Sequence, residues 1–273
     1  MTKTRWLTVT PLQTSNIAML ARLQIRPGAP VSLGAPGPAL LVLASGQLKA
    51  QVGVHRHTVG PSDVVQVRAG HVLHASASEP ANGWWLRVQP QASGWQIAQM
   101  HQHQPELVAL MAQPSLDRQG LERLDAVVAT AASAMQGILP KTAIGRLVRL
   151  ALDRLYERVE LPEMCRVAGL KKHAMIRRFR QHTGMTPAAF FLALRLGASL
   201  EPLANGARPI DVAHAFGFSD QSHYIRRFAA AFGSTPGAFQ NNGDFAPSAA
   251  QFARAEPEAD LARYTEYDVA LAS

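Results

Sequence analysis

Four histidines, His55, His57, His71 and His74, are the first residues whose type and spacing suggest chemistry. Residues two apart on a strand share a face, and imidazole binds zinc, iron or nickel. The surrounding pattern argues against a metal: His55 and His57 fall in the hairpin-like run GVHRHTVGP, and no Glu follows at ligand spacing. We read all four as surface and rim histidines and assign neither a metal nor a cofactor. Trp84 and Trp85 point to opposite faces of a strand, one into a core and the other able to wall a ligand pocket. His101 and His103 have no evident partner, and the single cysteine, Cys165, reads as packing rather than as a redox sensor. No Gly-rich phosphate loop, paired-carboxylate site or nucleophile elbow occurs, so no catalytic residue is assigned.

Charge is the stronger chemical signal. The 273 residues carry a net charge of +8, made of +4 over residues 1–140, +8 over 141–240 and −4 over 241–273. The middle segment asks for a polyanion; a membrane surface is the weaker partner, because no basic amphipathic helix carries a Trp/Phe face. No apolar run approaches the roughly 18 residues of a membrane span, and the start MTKTRWLTVTPLQTSN lacks a secretory pattern, so a cytoplasmic protein is expected. One cysteine excludes an intrachain disulfide.

The elements that position these residues divide the chain in two. Alternating runs at 6–10, 17–25, 39–44, 47–54, 64–67 and 84–88, punctuated by Gly and Pro, predict a small antiparallel β-barrel or sandwich. After Pro90 the period becomes helical: a short segment at 105–113, then a stripe of Leu121, Leu124, Val128, Ala131 and Met135, then helices to about residue 239. We expect four regions: a barrel at 1–92, helices at 93–140, a basic helical domain at 141–240 and an acidic tail at 241–273 with one short helix near 259–267.

The basic region repeats itself. RRFRQHTGMTPAAF at 177–190 returns as RRFAAAFGSTPGAF at 226–239, an offset of 49, and MCRVAGL at 164–170 aligns with VAHAFGF at 212–218, an offset of 48. Each copy reads as helix, tight turn, helix: a small residue (Cys165, Ala213), a turn glycine (Gly169, Gly217) and an apolar plug (Leu170, Phe218). The second helix of such a motif fits a DNA major groove. Periodicity puts Met175 and Phe179, then Tyr224, Phe228 and Phe232, inward. It leaves His173, Ile176, Arg177 and Arg180, then Gln221, Ser222, Ile225 and Arg226, outward.

These residues resemble a known family. PIDVAHAFGFSDQSHYIRRFAAAFGSTPGAF, with Arg195-Leu196, Ile210, Gly217-Phe218, Tyr224, Gly233 and Thr235-Pro236 at the same spacings, is similar to the signature of the AraC/XylS transcriptional regulators over about a hundred residues. The resemblance implies an α+β protein of two domains: an N-terminal cupin-like barrel with dimerisation helices and a C-terminal all-α double helix-turn-helix. It implies base-edge contacts from His173, Ile176, Arg177, Gln221, Ser222, His223 and Arg226. Chemistry agrees for several, since Arg pairs bidentately with guanine, Gln with adenine, and Ile covers a thymine methyl. Lys171, Lys172 and Arg180 suit phosphates. Leu121, Leu124, Val128, Ala131 and Met135 fall where family members dimerise, and the region near residues 31–33, where a metal-binding cupin presents its first His pair, has none.

The expected function is that of a non-enzymatic, sequence-specific DNA-binding regulator, an activator by analogy. It reads two unlike boxes roughly 34 Å apart on promoter DNA. RNA polymerase, a homodimer mate, and a small effector or regulatory protein are the expected partners. The alternatives are a metal-dependent cupin enzyme with an accessory helical domain, and a regulator controlled by a protein partner alone. Two departures from the family pattern stand out. Ala229, Ala230 and Ala231 replace the usual basic residues, and Gly197 and Pro202 interrupt the helix at 186–204, where a kink or early end is expected.

Overall fold

The computed structural model describes residues 7–10, 16–28, 30–61, 63–88, 101–103, 105–111, 118–133 and 141–240. The first part of the chain forms β1 (Leu7–Thr10), β2 (Ile17–Ile25), β3 (Val31–Ala35), β4 (Ala39–Ser45), β5 (Leu48–Val52), β6 (His55–Val59), β7 (Asp63–Val67), β8 (His71–Ala77), β9 (Ala81–Val88) and β10 (His101–His103). They pair in two sheets, ordered β1-β2-β9-β4-β7-β10 and β3-β8-β5-β6. Met19, Leu23, Leu33, Leu41, Leu48, Val65, Leu73 and Trp85 fill the space between them. This is the closed, double-sheet architecture that the cupin resemblance implies.

The alternation predicts β5 and the larger sheet except β10; it does not predict β3, β6 or β8 either. Their sequences, VSLGA, HRHTV, HVLHASA and HQH, lack the spaced large apolar residues of the others. Their partner strands hold them: β8 lies between β3 and β5, and β10 pairs with β7, setting His101 opposite Val65 and His103 opposite Asp63. The barrel therefore takes a strand from beyond residue 92. Two of the four histidines that invite a metal have hydrogen-bond partners of their own. His74 shares a hydrogen bond with Ser32 Oγ at 2.9 Å, and His71 Nδ1 lies 3.2 Å from the Ala69 carbonyl. Burial lowers the pKa of both rings. Among the described residues no three His, Cys, Asp or Glu side chains gather into a metal site.

Helices α1 (Pro105–Met111) and α2 (Arg118–Ser133) cover the outer face of the larger sheet. Leu107, Leu110, Leu124 and Val128 pack there against Leu20, Leu40, Val42 and Leu86. Asp125 accepts hydrogen bonds from the Asn16 backbone N–H and side-chain amide at 2.9 and 2.7 Å. Leu124 and Val128, two members of the stripe read as a dimer face, are 0% exposed and packed on their own barrel. The side chains of Leu121, Ala131 and Met135 lie outside the described residues, as does the acidic segment after residue 240. Trp85 is the core member of its pair, while Trp84 sits on the outer face with the Arg22 guanidinium 5.8 Å from its ring.

The second domain comprises α3 (Ala143–Asp153), α4 (Leu161–Ala168), α5 (Lys172–Thr183), α6 (Pro187–Ala204), α7 (Pro209–Ala215), α8 (Gln221–Phe232) and α9 (Pro236–Gln240). Helix α6 continues through Gly197 and Pro202 to Ala204, so the early end that these residues suggest does not occur. Tertiary packing overrides propensity here. Phe190, Phe191, Leu194, Leu196, Leu200 and Leu203 are all buried, and a helix apolar on every side is an interior one. Gly197 is where α6 crosses β3: a Cβ there would fall on the Gly34 carbonyl oxygen, and one on Gly34 would fall on the Ala193 carbonyl oxygen. Only two glycines permit so close an approach. Beside the crossing, Arg87 Nη2 on β9 donates to Glu201 Oε2 on α6 at 2.9 Å.

Candidate nucleic-acid interface

The repeat in the sequence is a repeat of hydrogen bonds. At the first turn, Gly169 adopts φ 66°, its N–H bonds the Arg166 carbonyl, and Leu170 N–H bonds the Cys165 carbonyl at 3.2 Å. At the second, Gly217 adopts φ 65°, its N–H bonds the His214 carbonyl, and Phe218 N–H bonds the Ala213 carbonyl at 3.0 Å. This is the left-handed helix stop that favours glycine. Recognition helices α5 and α8 each have 12 residues and end on a left-handed glycine, Gly184 and Gly233. The repeated Thr-Pro then starts the next helix: Thr186 Oγ1 accepts from Ala189 N–H, and Thr235 Oγ1 accepts from Ala238 N–H. The repeated phenylalanines stack edge to face, Phe179 on Phe190 at 5.1 Å and Phe228 on Phe239 at 5.5 Å.

Burial of one face fixes what the other presents. Met175 and Phe179 in α5, and Tyr224 and Phe228 in α8, are 0% exposed. The Tyr224 hydroxyl donates to Ser199 Oγ at 3.0 Å, tying α8 to α6, and burial pushes its phenol pKa up. Of the residues expected to read bases, His173, Arg177, Gln221, Ser222 and Arg226 are exposed. Ile176 is half-buried against the core of the first unit. His223 is half-buried and engaged within its own unit, Nδ1 with Ser219 Oγ at 3.1 Å and Nε2 accepting from Arg227 Nε at 3.3 Å. Lys171 and Arg180 are exposed, and Lys172 is half-buried. Cys165 is half-buried too, less enclosed than its counterpart Ala213.

Two further residues organise this surface without a signal in the outward-facing pattern. Arg146 on α3 donates from Nε to the Val167 carbonyl and from Nη2 to the Ala168 carbonyl, both at 2.8 Å, capping the end of α4 with a cation. Arg195 donates to the Leu155 and Glu157 carbonyls and lies 5.8 Å from the Phe218 ring, joining α6 to the second unit. Only their occurrence in the signature-bearing stretch marks them in sequence. Between the units, Ile176, Phe191, Arg195, Phe218, His223 and Arg226 line a cleft of about 480 Å³ that opens between α5 and α8.

Comparison with known proteins agrees with this geometry. Residues 164–242 match a helix-turn-helix domain family. The HTH-type transcriptional regulator YbfI of Bacillus subtilis is 36% identical over 84 residues, covering 31% of this chain and 30% of that protein. The HTH-type transcriptional activator RhaS of Pectobacterium carotovorum is 41% identical over 61 residues, covering 22% of each. The chain thus aligns with less than a third of the length of these relatives. Over the whole molecule the fold is similar to crystal structures of ToxT from Vibrio cholerae. The unsaturated-fatty-acid-bound form has a TM-score of 0.53 at 9% identity, covering 82% of this chain and 95% of that one, and the apo form has 0.52 at 11%, covering 84% and 98%. Repeat, glycine stops and family match converge on one statement: the C-terminal region of this chain is an AraC-type helix-turn-helix domain.

Proposed function

We propose that the protein is a sequence-specific, DNA-binding transcriptional regulator that lays α5 and α8 in successive major grooves of promoter DNA. The observation that carries this reading is the matched exposure of Arg177 and Arg226. They occupy equivalent places on two helices whose opposite faces are wholly buried. An arginine so placed can bind guanine O6 and N7 together. His173, Gln221 and Ser222 are the further base readers, with Ile176 and His223 at the margin of the same surface; Lys171, Lys172 and Arg180 hold phosphates. Two copies running in the same direction call for two unlike boxes rather than a palindrome.

In this reading the barrel is an effector or partner domain, and the protein is an activator, as RhaS is named, working with RNA polymerase in the cytoplasm. Small-molecule control has a parallel in ToxT, whose crystal structure contains an unsaturated fatty acid. Among the described residues no helix is long and apolar enough to cross a membrane. A homodimer that pairs through α2 would use its exposed face, which carries Gln119, Glu122, Arg123 and Ala126. The test is selection of random DNA by the full-length protein near physiological salt. Two unlike, directly repeated elements about one helical turn apart are expected; a palindrome, or folded protein that enriches nothing, would defeat the reading.

A further inference from the structure

Helix α8 holds one of its arginines back. Arg226 is exposed, whereas Arg227 beside it is half-buried on the wall of the cleft between the units. Arg227 Nε donates to His223 Nε2 at 3.3 Å. A ring nitrogen that accepts carries no proton, so this bond needs the neutral imidazole with its proton on Nδ1. Nδ1–H then donates to Ser219 Oγ at 3.1 Å, and Ser219 Oγ donates to Asp220 Oδ2 at 3.1 Å. The bonds from the His223 backbone N–H and from Ser219 hold the Asp220 carboxyl below its usual range, so it is an anion wherever a histidine titrates. The Phe218 ring stands edge to face with the imidazole at 5.7 Å. The other charged groups about the ring are Arg226 on α8, Arg195 on α6, and Arg158 and Glu160 across the cleft. On α7, Arg208, Asp211 and His214 act on one another. Strand β3 and helix α9, which also pack on α8, have no charged residue.

We propose that Arg227 is a further DNA-phosphate contact of α8 and that His223 is its positioning residue, which holds the arginine when neutral and yields it when protonated. An imidazolium carries a proton on each nitrogen and accepts nothing. Protonation therefore sets Nε2–H against Arg227 Nε–H, and one positive charge against another. On the opposite side of the ring it changes the sign of nothing: Nδ1–H still donates to Ser219, and the new charge faces the Asp220 anion. The ring stays and the arginine leaves. Two successive major grooves on one face of DNA are separated by a minor groove edged with phosphates. A cation released from the cleft between α5 and α8 meets those phosphates rather than base edges. It also supplies charge to a helix that continues with Ala229, Ala230 and Ala231. The inference rests on reading α8 as a DNA helix; within that reading it moves His223 from base reader to positioning residue and makes DNA affinity grow as pH falls.

The test is equilibrium binding of the full-length protein to its selected DNA at about pH 8 and about pH 6, on either side of the histidine range, at several salt concentrations. Wild-type affinity is expected to rise roughly three- to tenfold in acid, with a salt slope steeper by about one phosphate contact. His223→Leu accepts no hydrogen bond and frees Arg227 at both pH values, so it should bind more tightly than wild type at the higher pH and lose the acid rise. His223→Gln, whose amide oxygen accepts in place of Nε2 and does not titrate, should hold Arg227 at both, lose the rise and bind more weakly than the leucine variant. Adding Arg227→Gln to His223→Leu removes the gain. His173→Leu, which takes away the histidine on α5, should weaken binding but keep the rise. Weaker binding by His223→Leu than by wild type at the higher pH would return His223 to the base readers and overturn the inference. So would equal affinities of the leucine and glutamine variants, or an acid rise that survives both and vanishes with His173→Leu. If the leucine variant does not fold, the glutamine variant decides alone, since retention of the rise there overturns the latch and its loss supports it. A folded wild type that binds no DNA sequence specifically at either pH would instead strike the DNA-binding reading.

Discussion

The two helix-turn-helix units share their glycine stops, threonine caps and aromatic pairs, yet they are anchored differently. The first keeps a separate core of Ile144, Leu147, Met164, Met175, Phe179 and Phe190, to which the barrel contributes Val72. The core of the second, with Val212, Phe218, Tyr224, Phe228 and Phe239, runs without a break through α6 into the barrel interior. Their surfaces differ in the opposite sense: α5 carries Lys172, Arg177, Arg178 and Arg180, whereas α8 carries Arg226 and Arg227 and then three alanines. Equal local sequence therefore does not mean equal roles. The first unit carries the denser positive charge, and the second shares its core with the barrel.

The comparison breaks most visibly in the cores. Phe179→Ala and Phe228→Ala should each cost about 3–5 kcal/mol, as expected for a fully buried aromatic. Hydrogen exchange should spread differently, staying within α3–α5 for Phe179→Ala and reaching α6 and β3 for Phe228→Ala. Identical patterns would mean that the two units are not anchored differently. Next comes Gly197→Ala. In a free helix alanine is better than glycine by about 1 kcal/mol, whereas at the crossing with Gly34 it forces two backbones apart, with overpacking costs of roughly 1–3 kcal/mol or more. Thermal unfolding gives the sign, and a stabilised Gly197→Ala protein would show that α6 does not dock on β3.

Surface effects are smaller and fall on DNA. Arg177→Ala or Arg226→Ala should cost about 1–3 kcal/mol on the specific site and relax the preference at one base pair. Arg180→Ala should weaken all sequences alike and reduce the salt slope by about one. Ala230→Lys sharpens the contrast from the other side, since a cation added to the exposed face of α8 should steepen the slope by a similar amount. If reader and phosphate variants behave alike in a titration across salt concentrations, the division of labour fails.

The smallest difference is at the helix starts. Asp220 caps α8 by accepting the His223 N–H at 2.7 Å, and that bond holds its carboxyl below the usual range. Lys171 stands at the same place on α5 and makes no such bond. A carboxyl whose folded-state pKa is depressed stabilises fully above its unfolded value near 3.8 and loses this as pH falls through the lower folded value. Below about pH 4, therefore, the first turn of α8 should fray before that of α5, by amide exchange, and Asp220→Ala should abolish the difference.

What the residues disclose in advance follows the range of the forces involved. The recognition helices were legible because their caps, turns and inward aromatics are local and written twice. The reader candidates came from the family resemblance, and one of them, His223, is held by Ser219 and Arg227 of its own neighbourhood. The smaller sheet apart from β5 was opaque because strands such as HRHTV are made by their neighbours. The stripe was ambiguous because Leu124 and Val128 carry the same pattern whether the apolar partner is another chain or their own barrel, and it is the barrel that covers these two. Gly197 looked like a defect because the residue that explains it, Gly34, lies 163 positions away.

Helix α9 begins as α6 does, with a threonine cap, a proline and an inward phenylalanine. Gln240 lies on it, its amide donating to the Leu203 and Ala207 carbonyls at 3.0 and 2.6 Å. In the language of solenoids, the start of α9 is a third module laid back onto the end of the first linker, and Gln240 is the clasp between them. One side chain thus fastens the last described turn of the domain to the helix that spans both of its units, so that whatever loosens the end of α6 also loosens the start of α9.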